Sequence, residues 1–482
     1  MGSDQHHFDY DLLVIGSGPA GQKAAIQAAK LGLKVAVVER KSVLGGVSVN
    51  TGTIPSKTLR EAALDLSGYR ERQFYGLSHT VKRRITMQDL LQRVESVIRH
   101  EIDVTRHQLL RNRVEVLTAS ARFTGPNALL LESVDGAGER RVTAHKIMIA
   151  TGTEATRDPH IPIDGRRVLI SDDILHLDEL PRTLTVIGAG VIGAEYASIF
   201  ATLGARVTLV DRRDRMLPFV DGEIVDTLAY HMRENRVTMR LNESVAGVEL
   251  IEDECGGKVR ILLESGKQIV SDKALYSIGR TGNTACLDLE NAGLCADSRG
   301  RISVNSCYQT SCPHIYAVGD VIGFPSLAST SMEQGRVAAC YAFGFQATSV
   351  PGLFPYGIYT IPEISMVGKT EEELTQAGIP YEVGKARYRE IARGQIIGDT
   401  TGLLKMLFDS DSRKLLGVHI IGEGASELVH IGQAVLAFGG KLDYFVEAVF
   451  NYPTLAECYK TAAFDGINRL GHVYGKMPEP QA

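Results

Sequence analysis

Residues 9–40 read DYDLLVIGSGPAGQKAAIQAAKLGLKVAVVER. The short apolar run YDLLVIG predicts a buried parallel strand. Gly16-Ser17-Gly18-Pro19-Ala20-Gly21 follows at once, then a helix of small residues, QKAAIQAAKLG, and a second apolar run, KVAVVE, ending in Glu39. Together they make a βαβ unit. The glycines permit the tight turn, close approach to a pyrophosphate and close packing of helix on strand. The helix N-terminus offers N–H groups and partial positive charge to that pyrophosphate. Glu39 stands where a carboxylate can accept hydrogen bonds from ribose hydroxyls. A lone glycine triplet is common. With a strand before it, a helix after it and an acid at the second strand end, it reads as a dinucleotide-binding fingerprint.

The fingerprint returns further along. LTVIG is a strand, Gly188-Ala189-Gly190-Val191-Ile192-Gly193 the turn, AEYASIFATLG the helix, and RVTLVD a second strand ending in Asp211. Two complete fingerprints imply two nucleotides. A carboxylate at Asp211 suits the free 2′-hydroxyl of NAD. Arg212, Arg213 and Arg215 follow it directly, and guanidinium groups suit the 2′-phosphate of NADP. An acid with arginines behind it predicts a site that serves both. Between the fingerprints, residues 153–165, TEATRDPHIPIDG, lack any period and read as a crossover between domains.

Residues 45–57, GGVSVNTGTIPSK, lie between the first fingerprint and a predicted helix. Gly45 and Gly46 open a tight turn and let backbone approach a flat ligand. Thr53, Ile54 and Pro55 read as a helix start, with Pro in the first turn where its missing N–H costs little. Lys57 follows one turn in. Residues 86–113 predict one long amphipathic helix. Residues 114–150 read as short strands ending in KIMIATG. Beyond 351, strand-like runs LLKMLF and LLGVHI alternate with helical stretches around 425–438 and 455–468.

The whole chain sets bounds on class. At 482 residues, 44% hydrophobic and 23% charged, it is an ordinary soluble globular chain of roughly three domains. A net charge of −5 gives no reason to expect nucleic acid or an anionic membrane as partner. No uninterrupted apolar run is long enough to span a bilayer, and MGSDQHHFDY has no secretory-signal pattern. Seven scattered cysteines (Cys255, Cys286, Cys295, Cys307, Cys312, Cys340 and Cys458) fit a reduced, cytoplasmic protein. Cys307 and Cys312 lie in a strand-like stretch before YAVGD and are expected to be structural. No zinc spacing is present, so no metal is expected.

The 45–57 layout resembles the active-site loop of the flavin disulfide reductases, such as lipoamide dehydrogenase, glutathione reductase and mercuric reductase. In that family two cysteines of this loop stack against the isoalloxazine ring. Here their positions hold Ser48 and Thr53, which cannot form a disulfide or carry two electrons. The resemblance implies an α/β protein with two Rossmann-like dinucleotide-binding domains, FAD on the first and NAD(P) on the second, and a C-terminal α+β dimerisation domain. The implied ranges are 9–152 with 284–350 for FAD, 153–283 for NAD(P), and 351–475 for dimerisation.

Implied cofactor contacts on the FAD side are Gly16, Gly18, Gly21, Glu39, Arg40, Gly45, Gly46, Ser48, Thr53, Lys57, Thr151 and Gly152. Asp320, in HIYAVGD, is implied to hydrogen-bond the flavin ribitol, with Gly319 allowing close approach and Leu327 and Ala328 along the ring edge. On the nicotinamide side they are Gly188, Gly190, Gly193, Glu195, Asp211, Arg212 and Gly279, the last in YSIGRTGN. A Lys57–Glu195 pair would put a cation near flavin N5, where hydride arrives. The family's histidine before Pro-Thr is here Tyr452, in NYPTLAE, while its glutamate remains as Glu457; both stand as catalytic candidates. A tyrosine, with a reference pKa of about 10, cannot do histidine's work near pH 7 without strong perturbation. His419 and His430 are expected to be structural.

GTIPSK and NYPT distinguish the chain from the disulfide-reducing members. Over essentially its whole length it is similar to the soluble, Si-specific pyridine nucleotide transhydrogenases. That likeness implies NADPH + NAD⁺ = NADP⁺ + NADH, run as a ping-pong hydride transfer through flavin N5. It also implies one noncovalent FAD per chain and a homodimer or higher homo-oligomer. An NAD(P)H oxidase or diaphorase passing electrons to O₂ or quinones is the alternative enzyme. A non-catalytic nucleotide-binding homologue is the alternative outside enzymology.

Overall fold

A computed structural model describes residues 8–76, 78–136, 138–252, 257–347 and 352–470. YDLLVI forms the strand Tyr10–Ile15, buried almost throughout as its unbroken apolar run requires. It pairs in parallel with Val35–Glu39 on one side and with the end of Glu139–Ile149 on the other. The first residues of Glu115–Gly125 extend this parallel sheet beyond Val35–Glu39. The distant strand Ile315–Ala317 completes it beside Glu139–Ile149. The outer parts of the two long strands pair antiparallel through Ala128–Ser133.

Helix Pro19–Lys30 packs closely on helix Ala328–Ala342. A Cβ on Gly335 would stand 2.1 Å from the Ala20 carbonyl oxygen, so only glycine admits this approach. The long amphipathic stretch is helix Met87–Arg111, entered through a reciprocal capping box between Thr86 and Asp89.

The second fingerprint lies in a parallel five-stranded sheet. Its spatial order is Thr238–Leu241, Arg206–Asp211, Thr183–Ile187, Lys273–Tyr276, Val168–Leu169. A three-stranded antiparallel sheet of Val245–Ile251, Lys258–Leu263 and Gln268–Ser271 flanks it.

Residues 153–165, expected to be an aperiodic crossover, begin instead with the strand Thr153–Ala155. It pairs antiparallel with Arg280–Gly282 and stitches the two crossings of the chain together. With three residues and a partner far along the chain, it leaves no local period to read.

The third unit is an antiparallel five-stranded sheet. Its order is Tyr356–Ile358, Ile364–Gly368, Leu415–Ile421, Leu403–Asp409, Tyr381–Arg387, with helices Ala425–Ala437 and Glu457–Arg469 packed against it. Its join to the second unit contains charge. Lys405 and Asp221, both fully buried, meet at 2.8 Å, with Glu223 and Glu371 also in reach of the ammonium.

Cys307 and Cys312 stand in turns rather than in a strand. Cys312 donates to the Ala292 carbonyl at 2.9 Å, whereas Cys307 is exposed. Cys255, residues 348–351 and residues 471–475 fall outside the described residues. No helix among the described residues is long and apolar enough to cross a membrane.

Candidate active site: two dinucleotide cradles meeting at a lysine–glutamate pair

The two glycine turns repeat one division of labour. Gly16 and Gly188 have φ of +105° and +108°, and Cβ atoms there would collide with Ala150 O at 2.4 Å and Ser277 O at 3.0 Å. At Gly21 and Gly193 a Cβ would meet the carbonyl of the first glycine at 2.0 Å and 1.8 Å, so strand and helix lie in contact. Over the middle glycines there is room: Gly18 has only Gly46 Cα at 4.0 Å, and nothing lies within 4 Å of Gly190. Each turn leaves open the face on which a pyrophosphate would sit at the helix N-terminus.

The acids at the strand ends are engaged by their own turns. Glu39 accepts from Ser17 N at 3.1 Å, Ser17 Oγ at 2.6 Å and Lys41 N at 3.0 Å. Ser17 Oγ in turn accepts from Gly45 N at 3.0 Å, tying the 45–57 loop to the first fingerprint. Arg40 reaches Asn283 at 3.5 Å.

Asp211 accepts from Ala189 N at 2.6 Å, and from the Arg213 backbone at 2.9 Å and guanidinium at 2.7 Å. Burial alone would raise the Asp211 pKa; the arginine and the backbone N–H groups more than offset it and hold the carboxyl below its ordinary range. Arg215 is held by Glu372 at 3.2 Å and Val220 O at 2.6 Å. Arg212 is exposed and has no hydrogen-bond or ion-pair partner among the described residues.

In the 45–57 loop, Gly45 and Gly46 have φ of +104° and +59°, as the turn requires. A Cβ at Gly46 would stand 2.9 Å from Gly18 Cα, so loop and fingerprint touch backbone to backbone. The short helix Gly46–Asn50 carries Ser48, and helix Thr53–Ser67 starts with Pro55 in its first turn.

Ser48 and Thr53 face a recess of about 110 Å³ together with Gly18, Thr151, Asp320 and Ala328. That recess meets a larger cavity of about 570 Å³, which Thr53, Lys57, Glu195, Asp320 and Ala328 also line. Gly152 and Gly279 take φ of +64° and +85° at the edge of this region, and Asn283 N donates to Gly152 O at 3.0 Å.

Lys57 Nζ lies 2.7 Å from Glu195 Oε2, with side-chain exposures of 25% and 5%. The pair joins helix Thr53–Ser67 of the first unit to helix Val191–Thr202 of the second. The third unit reaches it as well: Tyr359 N donates to Glu195 Oε1 at 2.8 Å, and Lys57 Nζ sits 4.9 Å from the centre of the Tyr359 ring. Tyr356, Ser326, Arg280 and Tyr359 line the same cavity; Arg280 lies in the YSIGRTGN segment, whereas Tyr356 and Tyr359 had no local signal in the sequence. His430, expected to be structural, is exposed and lines it too. His419 is buried and bonds Lys369 O at 2.8 Å.

Tyr452 and Glu457 are not brought to this pair within one chain. Tyr452 is 73% exposed, and neither residue lines the cavity. Glu457 Oε2 is buried without a partner among the described residues.

The residues fit a flavin dinucleotide. Thr51 Oγ1 and Thr151 Oγ1 are shut from solvent with no partner among the described residues, and both side chains line these spaces. Burial pushes the Asp320 pKa up, partly countered by Arg280. Such groups are normally satisfied, and ligand hydroxyls and phosphates would satisfy them. Two open glycine cradles converging on one lysine–glutamate pair define the class: a two-dinucleotide flavoprotein oxidoreductase.

Comparison with known proteins agrees. The model of the pyridine nucleotide-disulphide oxidoreductase family matches residues 10–335, and that of its dimerisation domain matches residues 354–463. The HOCl-induced flavoprotein disulfide reductase RclA from Escherichia coli superposes with a TM-score of 0.84 at 28% identity, covering 94% of this chain and 99% of that one. The soluble pyridine nucleotide transhydrogenase of Mycobacterium tuberculosis is 55% identical over 96% of this chain and 98% of its own. That of Colwellia psychrerythraea is 45% identical over 96% and 99%. The chain belongs to the pyridine nucleotide-disulphide oxidoreductase family, among the soluble pyridine nucleotide transhydrogenases.

Proposed function

We propose that this oxidoreductase transfers hydride reversibly between NADPH and NAD⁺ by a ping-pong route that uses one nicotinamide site twice and no redox disulfide. The observation that carries the reading is the Lys57–Glu195 pair at 2.7 Å in a cavity whose loop offers Ser48 and Thr53 where a dithiol would stand. Residues 9–152 with 284–350 hold one noncovalent FAD per chain, 153–283 hold the nicotinamide nucleotide, and 351–475 join subunits into a cytoplasmic homodimer or larger assembly. When bound, FAD supplies a hydride acceptor and donor at N5.

The chain's own groups do the rest. The open faces over Gly18 and Gly190 admit the two pyrophosphates. Asp320 and Thr151 supply polar partners on the flavin side. Lys57, fixed by Glu195 and backed by Tyr359, would present a positive charge to a flavin ring held in this cavity. Tyr452 and Glu457, which lie away from this pair in their own chain, act from a neighbouring subunit.

The test is anaerobic mixing of the FAD-loaded protein with NADPH and then NAD⁺. Bleaching by NADPH, with recovery and NADH formation on adding NAD⁺, is expected. Recovery only with oxygen or a quinone would replace this reading with the oxidase. Absence of bleaching would remove the nicotinamide site.

Arg212 is the guanidinium left free for a 2′-phosphate. Arg212→Ala is expected to lower kcat/KM for NADPH about 10–100-fold, the loss of about 1.4–2.8 kcal/mol of charge-assisted binding. The NAD⁺ half-reaction should stay within about twofold on the same scale. Rapid-mixing kinetics of each half-reaction decide it, and an equal fall for both nucleotides would refute the assignment.

A further inference from the structure

Strands Tyr356–Ile358 and Ile364–Gly368 of the third unit form an antiparallel hairpin joined by residues 359–363. Hairpin loops normally run over the surface, where water serves their backbone. In this one Thr360, Ile361, Pro362 and Glu363 are all buried, so their polar groups have to be met by what they pack against. They pack against the two helices that carry Lys57 and Glu195.

On the side of helix Val191–Thr202, Tyr359 N donates to Glu195 Oε1 at 2.8 Å and Ile361 N donates to Ser198 Oγ at 3.1 Å. Ser198, one turn beyond Glu195, donates its hydroxyl back to Glu195 O at 2.8 Å. On the side of helix Thr53–Ser67, Arg60 holds the loop. It is buried and stands one turn beyond Lys57. Its Nε donates to Thr360 O at 2.9 Å, and its Nη2 lies 3.5 Å from Glu363 Oε2. Its Nη1 meets Glu61 Oε1 at 2.6 Å. Glu363 is fixed from behind by Ser426 N at 3.2 Å and Ser426 Oγ at 3.1 Å.

Arg60 and Glu195 are therefore linked through two adjacent residues of the loop, and the ring of one of these, Tyr359, lies 4.9 Å from Lys57 Nζ. Neither Arg60 nor Ser198 lines the cavity at the Lys57–Glu195 pair, so any influence they have on the chemistry runs through that pair. A guanidinium fork serves a carbonyl and two carboxylates from one fixed plane, which an ammonium on a flexible stem does not.

We propose that Arg60 is a positioning residue for hydride transfer: it holds the 359–363 loop against the helix that carries Lys57 and so sets where the Lys57–Glu195 pair stands. The inference rests on the reading of that pair as the charge presented to the flavin.

Arg60→Lys keeps a cation facing Glu61 and Glu363 and takes away the fork that also reaches Thr360 O. In anaerobic stopped-flow of the FAD-loaded variant, the limiting rate of reduction by NADPH should fall about tenfold, because small displacements of positioned groups cost up to about 10²-fold. The NADPH dissociation constant should stay within about twofold, the split expected when ground-state binding is untouched. Ser198→Ala loosens the other side of the loop and should lower the same limiting rate without changing nucleotide affinity. In the Lys57→Met background neither substitution should slow reduction further, since both act through the lysine. A wild-type limiting rate in Arg60→Lys, or in Ser198→Ala where Arg60→Lys loses its FAD, would overturn the proposal and leave the reading of Lys57 standing. A further fall of equal size in Lys57→Met would also overturn it, making Arg60 a residue of the fold alone. A wild-type rate in Lys57→Met itself would overturn both.

Discussion

Lys57→Met is expected to slow reduction of the FAD-loaded protein by NADPH about 10²–10³-fold, the range found when one preorganised donor or charge is removed from where charge develops. The side chain keeps its length, so the loss is electrical rather than steric. It also leaves Glu195, 5% exposed, without the cation 2.7 Å away. Stranding a buried carboxylate costs about 3–5 kcal/mol, somewhat less here because the lysine is a quarter exposed and Tyr359 N still donates to Glu195.

The double variant Lys57→Met/Glu195→Gln separates the two effects. It removes the stranded charge and should recover most of the lost stability, while the rate stays low because the cation is still missing. Anaerobic stopped-flow gives the rate and denaturant titration the stability. A reduction rate equal to wild type in Lys57→Met would take the lysine out of the mechanism.

Lys405→Met is expected to cost about 3–5 kcal/mol of stability with little direct effect on chemistry, because it strands Asp221 in the join between the second and third units. Both side chains are 0% exposed, and the next anions, Glu223 and Glu371, lie against the same ammonium. Removing the lysine therefore leaves carboxylates facing each other as well as one buried charge. Met fills similar volume, so the cavity contribution is small. Adding Asp221→Asn should restore a large part of the loss. If the single and double variants unfold at the same denaturant concentration, the buried pair is not what holds the join.

The same pair sets a pH dependence. Burial would raise Asp221, but His419 and Lys405 more than offset it and leave its pKa below the ordinary value. Near pH 7 the lysine is the effective cation, since burial keeps His419 neutral. A carboxyl depressed on folding contributes stability above its unfolded pKa of about 3.9 and loses it as pH falls through the folded value. Wild type should therefore lose its margin over Lys405→Met/Asp221→Asn in acid, below about pH 4.

Much of this molecule is written locally. A buried parallel strand is a run of apolar residues, a nucleotide turn needs glycine where a Cβ would strike a carbonyl, and a helix beginning Thr-Ile-Pro announces itself. Hence both fingerprints, the 45–57 loop, helix Met87–Arg111 and two of the third unit's strands, Leu403–Asp409 and Leu415–Ile421, were legible, as was the pairing of Lys57 with Glu195 through the family likeness. Ser48 and Thr53 in place of a dithiol were legible for the same reason: they are facts of composition at known positions.

What only the tertiary structure decided is what depends on contacts between distant segments. Asp211 and Glu39 read as acids for ribose, yet each is occupied by its own turn, and Arg213 lies on Asp211 while Arg212 has no partner among the described residues. Strand Thr153–Ala155 exists because Arg280–Gly282 returns to pair with it. Tyr359 reaches Lys57 from over 300 residues away in the chain, and Lys405 reads as one more polar residue in LLKMLF until Asp221 is placed against it. Periodicity and spacing report only what neighbours along the chain must do. Charge compensation, the filling of a cavity and the satisfaction of a buried donor are sums over neighbours in space, and those are settled when the units close on one another.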